Sequence, residues 1–328
     1  MAELKIGTIV HWHTLSPGLA IFQLVAEDGQ RFPIYEAGQN IQLRRESCQL
    51  TKKIGVDSQG RTIYGPDLDD DGNPKRGPVQ HSYSIASAPH ETETKGFLEF
   101  YLIRERVVGY PGRLTESLFS SDLNTDNQVL YANEIGGDFT LSKRTQGASS
   151  VFFVGTGTGL APFISMIKEI ASEAQNGRAT STRYTLIHTN RTTEELGYHR
   201  QLQEIEAARK FDFMYIPTVS RPTQRDIADK RLGIGRANNL LRTIFGMPVK
   251  EEEDLQRKAS KGEDISEAKA ALNVVIPPAL PATISIHSVR QRIDAGNTVI
   301  LACGNAHAME DIKHVAQANQ IRFEKEDW

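Results

Sequence analysis

As far as residue 140, the chain alternates apolar and polar positions over short segments. Such alternation is typical of strands with one buried and one exposed face, and clusters of Gly, Pro, Asp and Asn separate the segments. The predicted strands are residues 4–10, 20–26, 40–43, 80–86, 97–103 and 128–132. Only residues 113–121 have a helical pattern here. The pattern therefore predicts an antiparallel barrel or sandwich.

From Ser150 onward, continuous apolar runs alternate with segments of helical periodicity. The predicted strands are VFFV (151–154), RYTLIH (183–188), FDFMYIPTV (211–219) and TVILACG (298–304), and the predicted helices are 162–174, 194–210 and 308–318. Runs without polar alternation fit strands that are buried on both faces of a parallel sheet. We therefore expect two domains, an antiparallel β-barrel over residues 1–145 followed by an α/β parallel-sheet domain over residues 146–328.

Two segments fit neither pattern. Residues 47–78 are polar and turn-rich, which predicts a long loop or an extra hairpin on the barrel. They contain Asp67, Asp69 and Asp71 in the spacing of a calcium loop, but the twelfth position is Pro78 rather than Glu, so a solvated acidic turn is the better interpretation. Residues 247–282 are rich in Glu, Lys and Ala and then in Pro, which predicts a surface helix followed by an extended connector.

Composition narrows the classes of function. The chain has 38 Lys and Arg against 41 Asp and Glu, which gives no general attraction to nucleic acid or to anionic membranes. Two cysteines, Cys48 and Cys303, are too few for an iron–sulfur cluster held by cysteines, and we predict no metal site. The start of the chain lacks a signal-peptide pattern, and no apolar run approaches the roughly 18 residues of a membrane span. We expect a cytoplasmic protein that binds neither nucleic acid nor membrane.

The most specific motif is VFFVGTGTGLAP, residues 151–162. A buried strand leads into Gly155, Gly157 and Gly159, and Pro162 follows where the first turn of a helix tolerates proline. Glycines let the backbone approach a ligand closely, and free N–H groups at a helix start attract anions, so a nucleotide pyrophosphate is the predicted occupant. A turn that serves packing alone is the alternative, because Leu160 stands where the usual dinucleotide pattern has its third glycine.

The ends of the next two strands bear on which nucleotide binds. RYTLIH is followed by TNR, with no acidic residue for a ribose 2′-hydroxyl. The following strand ends near Ser220, Arg221 and Arg225. Cations and a hydroxyl suit a 2′-phosphate, which favours NADP over NAD. The two arginines are equally compatible with solvated surface charges.

Three further features are candidates for a site. HSYSIAS (81–87) and PGRLTESL (111–118) together could hold a flat cofactor and its phosphates. LACGN (301–305) brings Cys303 to the edge of the sheet at which open α/β folds bind ligands, although a buried structural cysteine is the alternative. Trp328 ends the sequence and would be exposed unless it covers something.

Taken in order, these motifs resemble those of ferredoxin–NADP⁺ reductases. They are YSIAS, PGRLT, GTGTGLAPF, VSR, CGN with Met309, and a terminal Glu-x-aromatic, and they extend over nearly the whole chain from residue 7 to residue 328. The resemblance implies an antiparallel flavin-binding barrel followed by a nucleotide-binding α/β domain, with FAD and NADP as cofactors. It also implies an enzyme that transfers electrons between NADP(H) and ferredoxin or flavodoxin.

On the flavin side, the resemblance implies that Tyr83 stacks on the isoalloxazine and that Ser84 places its hydroxyl near flavin N5. Trp328 would cover the flavin face, and Glu326 would lie near Ser84. The residues that would support the flavin pyrophosphate are Gly112, Arg113, Leu114 and Thr115. Ser84, Cys303, Glu326 and Trp328 are therefore the candidate catalytic residues.

On the nucleotide side, the resemblance implies that Cys303 lies near nicotinamide C4, with Gly304 beside it as a cofactor-binding residue. Ser220, Arg221 and Arg225 would bind the 2′-phosphate. The residues that would hold the NADP pyrophosphate are Gly155, Thr156, Gly157, Thr158, Gly159 and Pro162.

The chain departs from the family at His81, where an arginine that binds the flavin pyrophosphate is usual. Because a neutral histidine cannot make the two-pronged contact of a guanidinium, we expect Arg104, Arg113 or backbone N–H groups to contribute instead. One alternative function is the reductase component of an oxygenase or of another electron-transfer system, although such proteins usually carry an iron–sulfur module. A non-catalytic nucleotide-binding protein is the alternative outside the enzymes.

Overall fold

A computed structural model gives the fold of residues 3–56, 62–107, 110–111, 113–178 and 180–326. The chain divides into two compact units, of which the first comprises Met1–Asp138 and Ile164–Glu169 and the second Phe139–Phe163 and Ile170–Trp328. This division by contacts falls after Asp138, and the predicted boundary between functional domains after residue 145 stays a prediction. Among the described residues, no helix is long and apolar enough to cross a membrane.

Strands dominate the first unit. They are β1 (Leu4–Ser16), β2 (Leu19–Ala26), β3 (Asn40–Gln49), β4 (Thr51–Val56), β5 (Thr62–Pro66), β6 (Arg76–Ser84), β7 (Phe97–Ile103), β8 (Arg106–Val107), β9 (Tyr110–Pro111) and β10 (Gln128–Gly136), and the helices are α1 (Pro89–Lys95) and α2 (Arg113–Phe119). One antiparallel sheet has the order β6-β3-β10-β1-β2-β7. The predicted antiparallel architecture is confirmed.

The period of two in the sequence explains which side chains form the core of this sheet. Along β3, Ile41 and Leu43 are buried in the apolar cluster, whereas Gln42 and Arg44 alternate with them on the other face. Tyr83 pairs with Ile41 and Ser84 with Asn40, so β6 ends beside the start of β3. The register therefore places the Tyr-Ser pair at one end of the sheet.

The polar segment 47–78 forms an extra hairpin, which is one of the two structures predicted for it. Strands β4 and β5 pair with each other and not with the large sheet. In the acidic turn that follows, the Asp69 carboxylate accepts the backbone N–H groups of Asp71 and Asn73 at 3.0 and 2.8 Å. Within the described ranges, no group of three or more His, Cys, Asp or Glu side chains is placed to hold a metal ion.

The second unit alternates strands and helices. They are α3 (Leu141–Arg144), β11 (Ser150–Thr156), α4 (Ala161–Gln175), β12 (Arg183–Asn190), α5 (His199–Ala208), β13 (Phe213–Val219), α6 (Gln224–Ala228), β14 (Gly233–Ile234), α7 (Ala237–Phe245), α8 (Lys250–Ser260), α9 (Ser266–Asn273), α10 (Ile286–Arg290), β15 (Thr298–Cys303), α11 (Ala306–Ala318) and β16 (Arg322–Lys325). The strands form one parallel sheet in the order β14-β13-β12-β11-β15-β16. The predicted α/β parallel-sheet architecture is confirmed.

Both faces of this sheet are buried, as the continuous apolar runs predict. Phe152 and Val154 of β11 belong to the cluster that also contains residues of α7 and α11. Phe153, on the opposite face, packs against Phe163 of α4 with ring centroids 5.1 Å apart. Strand order reverses around β11, because β12 lies on one side of it and β15 on the other. The carboxyl ends of such central strands are where open α/β sheets bind ligands.

Residues 247–282 contain two helices rather than the single surface helix that the sequence predicts. Helix α8 ends just before Gly262, which adopts a φ of +67°, and α9 then begins at Ser266. Because a left-handed conformation cannot continue a helix, the glycine separates the two. The extended connector after α9 follows the prediction, and Ala279 within it pairs with Ile234 of β14.

Candidate active site

The glycine-rich motif of the second unit folds as the end of β11, a short 3₁₀ turn at Gly157–Leu160 and the start of α4. Pro162 lies in the first turn of α4, where the backbone N–H that proline lacks has no partner within the helix. The predicted strand, turn and helix are therefore all present. Thr158 lies half-exposed within the turn.

The three glycines of this motif have different structural roles. A Cβ atom on Gly155 would lie 3.3 Å from the Leu160 Cα atom, and one on Gly159 would lie 2.2 Å from the Cys303 carbonyl oxygen. These two glycines allow close packing. Gly157 adopts a φ of +58° and a Cβ atom there would have no neighbour within 4 Å. Gly157 is therefore the position at which the bare backbone faces open space.

The loop after β15 interlocks with this turn. Gly304 has a φ of +133°, and a Cβ atom on it would lie 2.1 Å from the Thr156 hydroxyl oxygen. The same hydroxyl accepts the backbone N–H of Asn305 at 3.0 Å. Thr156, a predicted pyrophosphate ligand, thus joins two loops. Glycine is required at 304 by both its conformation and the close approach of Thr156.

Cys303 and Glu326, two of the candidate catalytic residues, are brought together in the second unit. The Cys303 thiol donates a hydrogen bond to the Glu326 carboxylate, with a distance of 3.0 Å between Sγ and Oε2. Both side chains are buried. The Glu326 N–H donates to the Ala302 carbonyl at 3.2 Å, which holds the end of the described chain against β15. A thiol beside a buried carboxylate can hold and pass a proton.

The candidate 2′-phosphate residues lie where β13 ends. The Ser220 hydroxyl donates to the Asn190 carbonyl oxygen at 3.1 Å. Arg221 and Arg225 are exposed, and no hydrogen bond or ion pair to a side chain in the described part of the chain occupies their guanidinium groups. In contrast, the Arg191 guanidinium is held by the Glu195 carboxylate at 2.6 and 2.7 Å. Of these arginines, only Arg221 and Arg225 have a free guanidinium for an anionic ligand.

In the first unit, β6 presents the residues that the sequence assigns to the flavin. Tyr83 packs against the apolar core, and burial raises the pKa of its hydroxyl well above the ordinary value. Ser84, one residue further, is buried at the end of the strand. A neutral, partly buried aromatic ring next to a hydroxyl suits contact with a flat aromatic ligand.

His81 lies beside Arg113, with 3.4 Å between His81 Nε2 and an Nη atom of Arg113. Burial and the neighbouring guanidinium both lower the pKa of His81. Arg104, by comparison, is engaged by Glu116, with 2.7 Å between Nε and Oε2. Among the groups expected to compensate for the missing arginine, Arg113 is therefore the one that stands next to position 81.

The remaining predicted residues of this half have structural roles or lie outside the described residues. Leu114 is buried in the core, and the buried Thr115 hydroxyl accepts the Glu105 N–H at 3.0 Å. Gly112 and Trp328 fall outside the described ranges. Asn305 belongs to the predicted LACGN motif, but its role as a helix cap was not predicted. Its side-chain oxygen caps α11, and an Asn before a predicted helix is the signal for this role.

Comparisons with known proteins agree with this arrangement. Residues 153–243 match the family described as oxidoreductase NAD-binding domain. The chain is 31% identical over 151 residues to ferredoxin–NADP reductase A of Sorangium cellulosum, which covers 44% of this chain and 49% of that protein. It is 26% identical over 227 residues to the ferredoxin–NADP reductase of Azotobacter vinelandii, which covers 67% of this chain and 75% of that protein.

A solved structure extends the likeness to both units. The ferredoxin NADP⁺ reductase of Neisseria gonorrhoeae, crystallised with FAD and NADP, is 17% identical, with a TM-score of 0.57 and 99% of each chain covered. At this identity the likeness shows the fold. In sequence, the match spans about half the length of the Sorangium protein.

An antiparallel half-barrel followed by a parallel six-stranded sheet, with a glycine-rich turn after its central strand, is the fold of the two-domain flavoprotein reductases. Within that class, the relatives and the solved structure that the chain resembles are ferredoxin–NADP⁺ reductases. The resemblance inferred from the order of the motifs is confirmed.

Proposed function

We propose that this chain is an FAD-dependent oxidoreductase that transfers electrons between NADP(H) and a one-electron carrier protein of the ferredoxin or flavodoxin type. The observation that carries the proposal is the interlocked pair of loops at the carboxyl ends of β11 and β15. These loops combine an open glycine backbone at Gly157 with the buried Cys303–Glu326 pair. Backbone that can approach an anion, next to groups that can hold a proton, suits a nucleotide-dependent redox site.

NADP(H) is assigned to the second unit. The backbone around Gly157 would approach the pyrophosphate, because no side chain stands between it and a ligand. Ser220, Arg221 and Arg225 would bind the 2′-phosphate, since the two guanidinium groups are exposed at the end of β13. Charge-assisted hydrogen bonds from arginine to a phosphate are strong and directional, which supports NADP rather than NAD.

FAD is assigned to the first unit. Tyr83 would stack on the isoalloxazine and Ser84 would place its hydroxyl near flavin N5. Arg113, with His81 beside it, would supply the positive charge for the flavin pyrophosphate. When bound, a flavin accepts a hydride and releases electrons singly, which explains how a chain with two cysteines can serve a one-electron carrier.

Cys303 and Glu326 would manage proton traffic at the hydride-transfer site. The thiol donates to the carboxylate, so Glu326 keeps the Cys303 side chain in one orientation. The carboxylate in turn can accept a proton from a reacting group. Trp328 would cover the flavin in the absence of nicotinamide, and Trp328→Ser is expected to tighten NADP(H) binding.

The proposal is tested by steady-state reduction of ferredoxin, flavodoxin and cytochrome c by NADPH, with the FAD-loaded chain as catalyst. We expect rapid reduction of at least one carrier, and a fall of about tenfold or more in kcat for Cys303→Ala. Cys48→Ala is the matched control and is expected to keep the wild-type kcat. Turnover with NADPH but with neither carrier would favour the reductase component of an oxygenase system, and no turnover with any acceptor would refute the proposal.

A further inference from the structure

A buried arginine joins three helices of the second unit. Arg242 of α7 is 1% exposed, and its guanidinium donates to Asp311 of α11 at 2.9 and 2.6 Å. It also donates to Glu253 of α8 at 2.6 Å and to the Pro248 carbonyl at 3.1 Å. Asn238 adds a hydrogen bond of 2.8 Å to the same Asp311 carboxylate. All the directional contacts of Arg242 therefore end on α8, on α11 or on the segment just before α8.

These contacts keep the arginine charged. Burial alone would lower the pKa of Arg242, but the hydrogen bonds and charges of Asp311 and Glu253 raise it above the ordinary value. Asp311 is itself only 5% exposed, so water has little access to the ion pair. A buried charge that loses its partner is strongly destabilising, which means that α7 and α11 are held together wherever this unit is folded.

Helix α11 connects the Arg242–Asp311 ion pair to the loop that follows Cys303. The helix begins directly after the loop 303–305, and the Asn305 side chain caps it by accepting the N–H groups of His307 and Ala308 at 3.1 and 3.2 Å. The Asn305 N–H is in turn bonded to Thr156. A regular helix is stiff over the few residues between Asp311 and this cap. A shift of α11 along its axis would therefore move the loop that follows Cys303.

We propose that Arg242 is a positioning residue for Cys303. By fixing α11 through Asp311, it holds the loop 304–305, which directly follows Cys303 at the end of β15, in register with the glycine-rich turn. Helix α8 adds a third contact through Glu253. The inference rests on the proposed function for the role of the thiol in catalysis, but the position of the thiol can be tested independently of that function.

If the ion pair served stability alone, replacing it would change the stability of the unit but not the position of α11. Replacing a buried ion pair by apolar side chains of similar volume is often neutral for stability, because the desolvation penalty disappears together with the attraction. Apolar contacts lack direction, however, and tolerate small displacements along a helix axis. The planar guanidinium with two parallel bonds to one carboxylate fixes both distance and orientation. Register is therefore the property that the apolar replacement would lose.

The test compares the wild type with the double variant Arg242→Met/Asp311→Leu. Arg236→Gln is the matched control, because Arg236 also bonds α8 through Glu251, at 3.3 Å, but its side chain is 71% exposed. The first measurement is the rate of iodoacetamide alkylation of Cys303 and of Cys48 in the chain without cofactors, resolved by peptide mass spectrometry. The second is kcat and KM for NADPH with the FAD-loaded chain, and thermal unfolding verifies folding.

We expect the double variant to fold but to unfold at a lower temperature than the wild type, because buried Asn238 loses its bond to Asp311 and Glu253 loses Arg242. We expect its Cys303 to be alkylated about tenfold faster, with Cys48 unchanged, because a loosened loop opens more often. We expect kcat to fall by about tenfold while KM for NADPH changes less than about twofold, since misplaced groups cost most in the transition state. The control is expected to match the wild type in every measurement.

A folded double variant with the wild-type alkylation rate at Cys303 would overturn the inference. If the double variant does not fold, the same alkylation rates are measured in Arg242→Lys, because lysine keeps the charge but cannot make both bonds to Asp311. In Arg242→Lys, faster alkylation of Cys303 alone supports the inference. An unchanged rate, or equal acceleration at both cysteines, overturns it. Absence of turnover in the wild type would contradict the proposed function and leave the alkylation result to decide the positioning role.

Discussion

The two units differ in what forms their candidate binding residues. In the first unit, these are side chains on regular elements, with Tyr83 and Ser84 on β6 and Arg113 on α2. In the second unit, bare backbone is decisive, because Gly159 and Gly304 allow two loops to interlock. Side chains can be exchanged with graded effects, whereas backbone at this separation cannot yield. Substitutions at the glycines of the second unit should therefore cause a large loss of NADPH affinity, whereas substitutions in the first unit should lower FAD affinity by smaller steps.

The largest effect is expected from Gly159→Ala. The added Cβ would lie 2.2 Å from the Cys303 carbonyl oxygen, so one loop must move away from the other. We expect a loss of about 2–3 kcal/mol in stability and a fall of about tenfold or more in NADPH affinity. FAD affinity should not change. Thermal unfolding and separate titrations with the two nucleotides measure these effects.

Gly147→Ala is the control for that substitution. Gly147 has a φ of +76°, but a Cβ atom there has no neighbour within 4 Å, so only backbone strain of about 1–2 kcal/mol is added. Its NADPH affinity should equal that of the wild type. Equal loss of FAD and NADPH binding in Gly159→Ala would contradict the assignment of FAD to the first unit and of NADPH to the second.

A smaller effect is expected from Arg113→Ala in the flavin half. Loss of one charge-assisted contact to the pyrophosphate at a partly exposed position costs about 1.5 kcal/mol, so FAD should bind roughly tenfold more weakly. NADPH affinity should stay the same. Arg104→Gln is the matched control, because Arg104 is already engaged by Glu116. If Arg104→Gln weakened FAD binding as much as Arg113→Ala, the assignment of the pyrophosphate to Arg113 would be wrong.

Arg221→Ala tests which nucleotide the second unit prefers. Removal of an exposed guanidinium from a 2′-phosphate should lower the ratio of kcat/KM for NADPH to that for NADH by about tenfold. Arg191→Gln should leave the ratio unchanged, because Glu195 already holds the Arg191 guanidinium. An unaltered ratio in Arg221→Ala would indicate that Arg225, rather than Arg221, contacts the 2′-phosphate.

The smallest effect is expected from the titration of His81. Burial and Arg113 lower its pKa below the ordinary 6.5, so the side chain is neutral at pH 7. Protonation at lower pH adds a positive charge next to the anionic pyrophosphate, so FAD affinity should rise as the pH falls below about 6.5 and be flat from pH 7 to 8. His81→Asn should abolish the rise. Affinity that increases with pH in the wild type would contradict this placement of the flavin.

Much of the fold is predictable because local pattern and tertiary structure agree. The alternation in β3 places Ile41 and Leu43 in the core, and the unbroken run VFFV identifies a strand that is buried on both faces. The two helices of the segment 247–282 were not separated by the prediction. The sequence there is helix-forming on both sides of Gly262, and only its left-handed conformation marks the break.

The candidate site is predictable where only one residue type fits. Gly159 and Gly304 are required by close approach, so their motif signals the site directly. Contacts between residues distant in the chain are not predictable in the same way. The Thr156–Asn305 bond joins residues 149 positions apart, and the pairing of Arg242 with Asp311 spans 69. Such pairs depend on how helices pack onto the sheet, and local sequence patterns do not predict them.

We propose that this chain passes electrons from NADPH through a bound flavin to a carrier protein. Anaerobic titration of the FAD-loaded chain with NADPH, followed by visible absorbance, measures this transfer. We expect about one equivalent of NADPH to bleach the flavin band and oxidised ferredoxin or flavodoxin to restore it. A chain that binds no FAD, or a flavin band that NADPH leaves unchanged, would refute the proposed electron transfer.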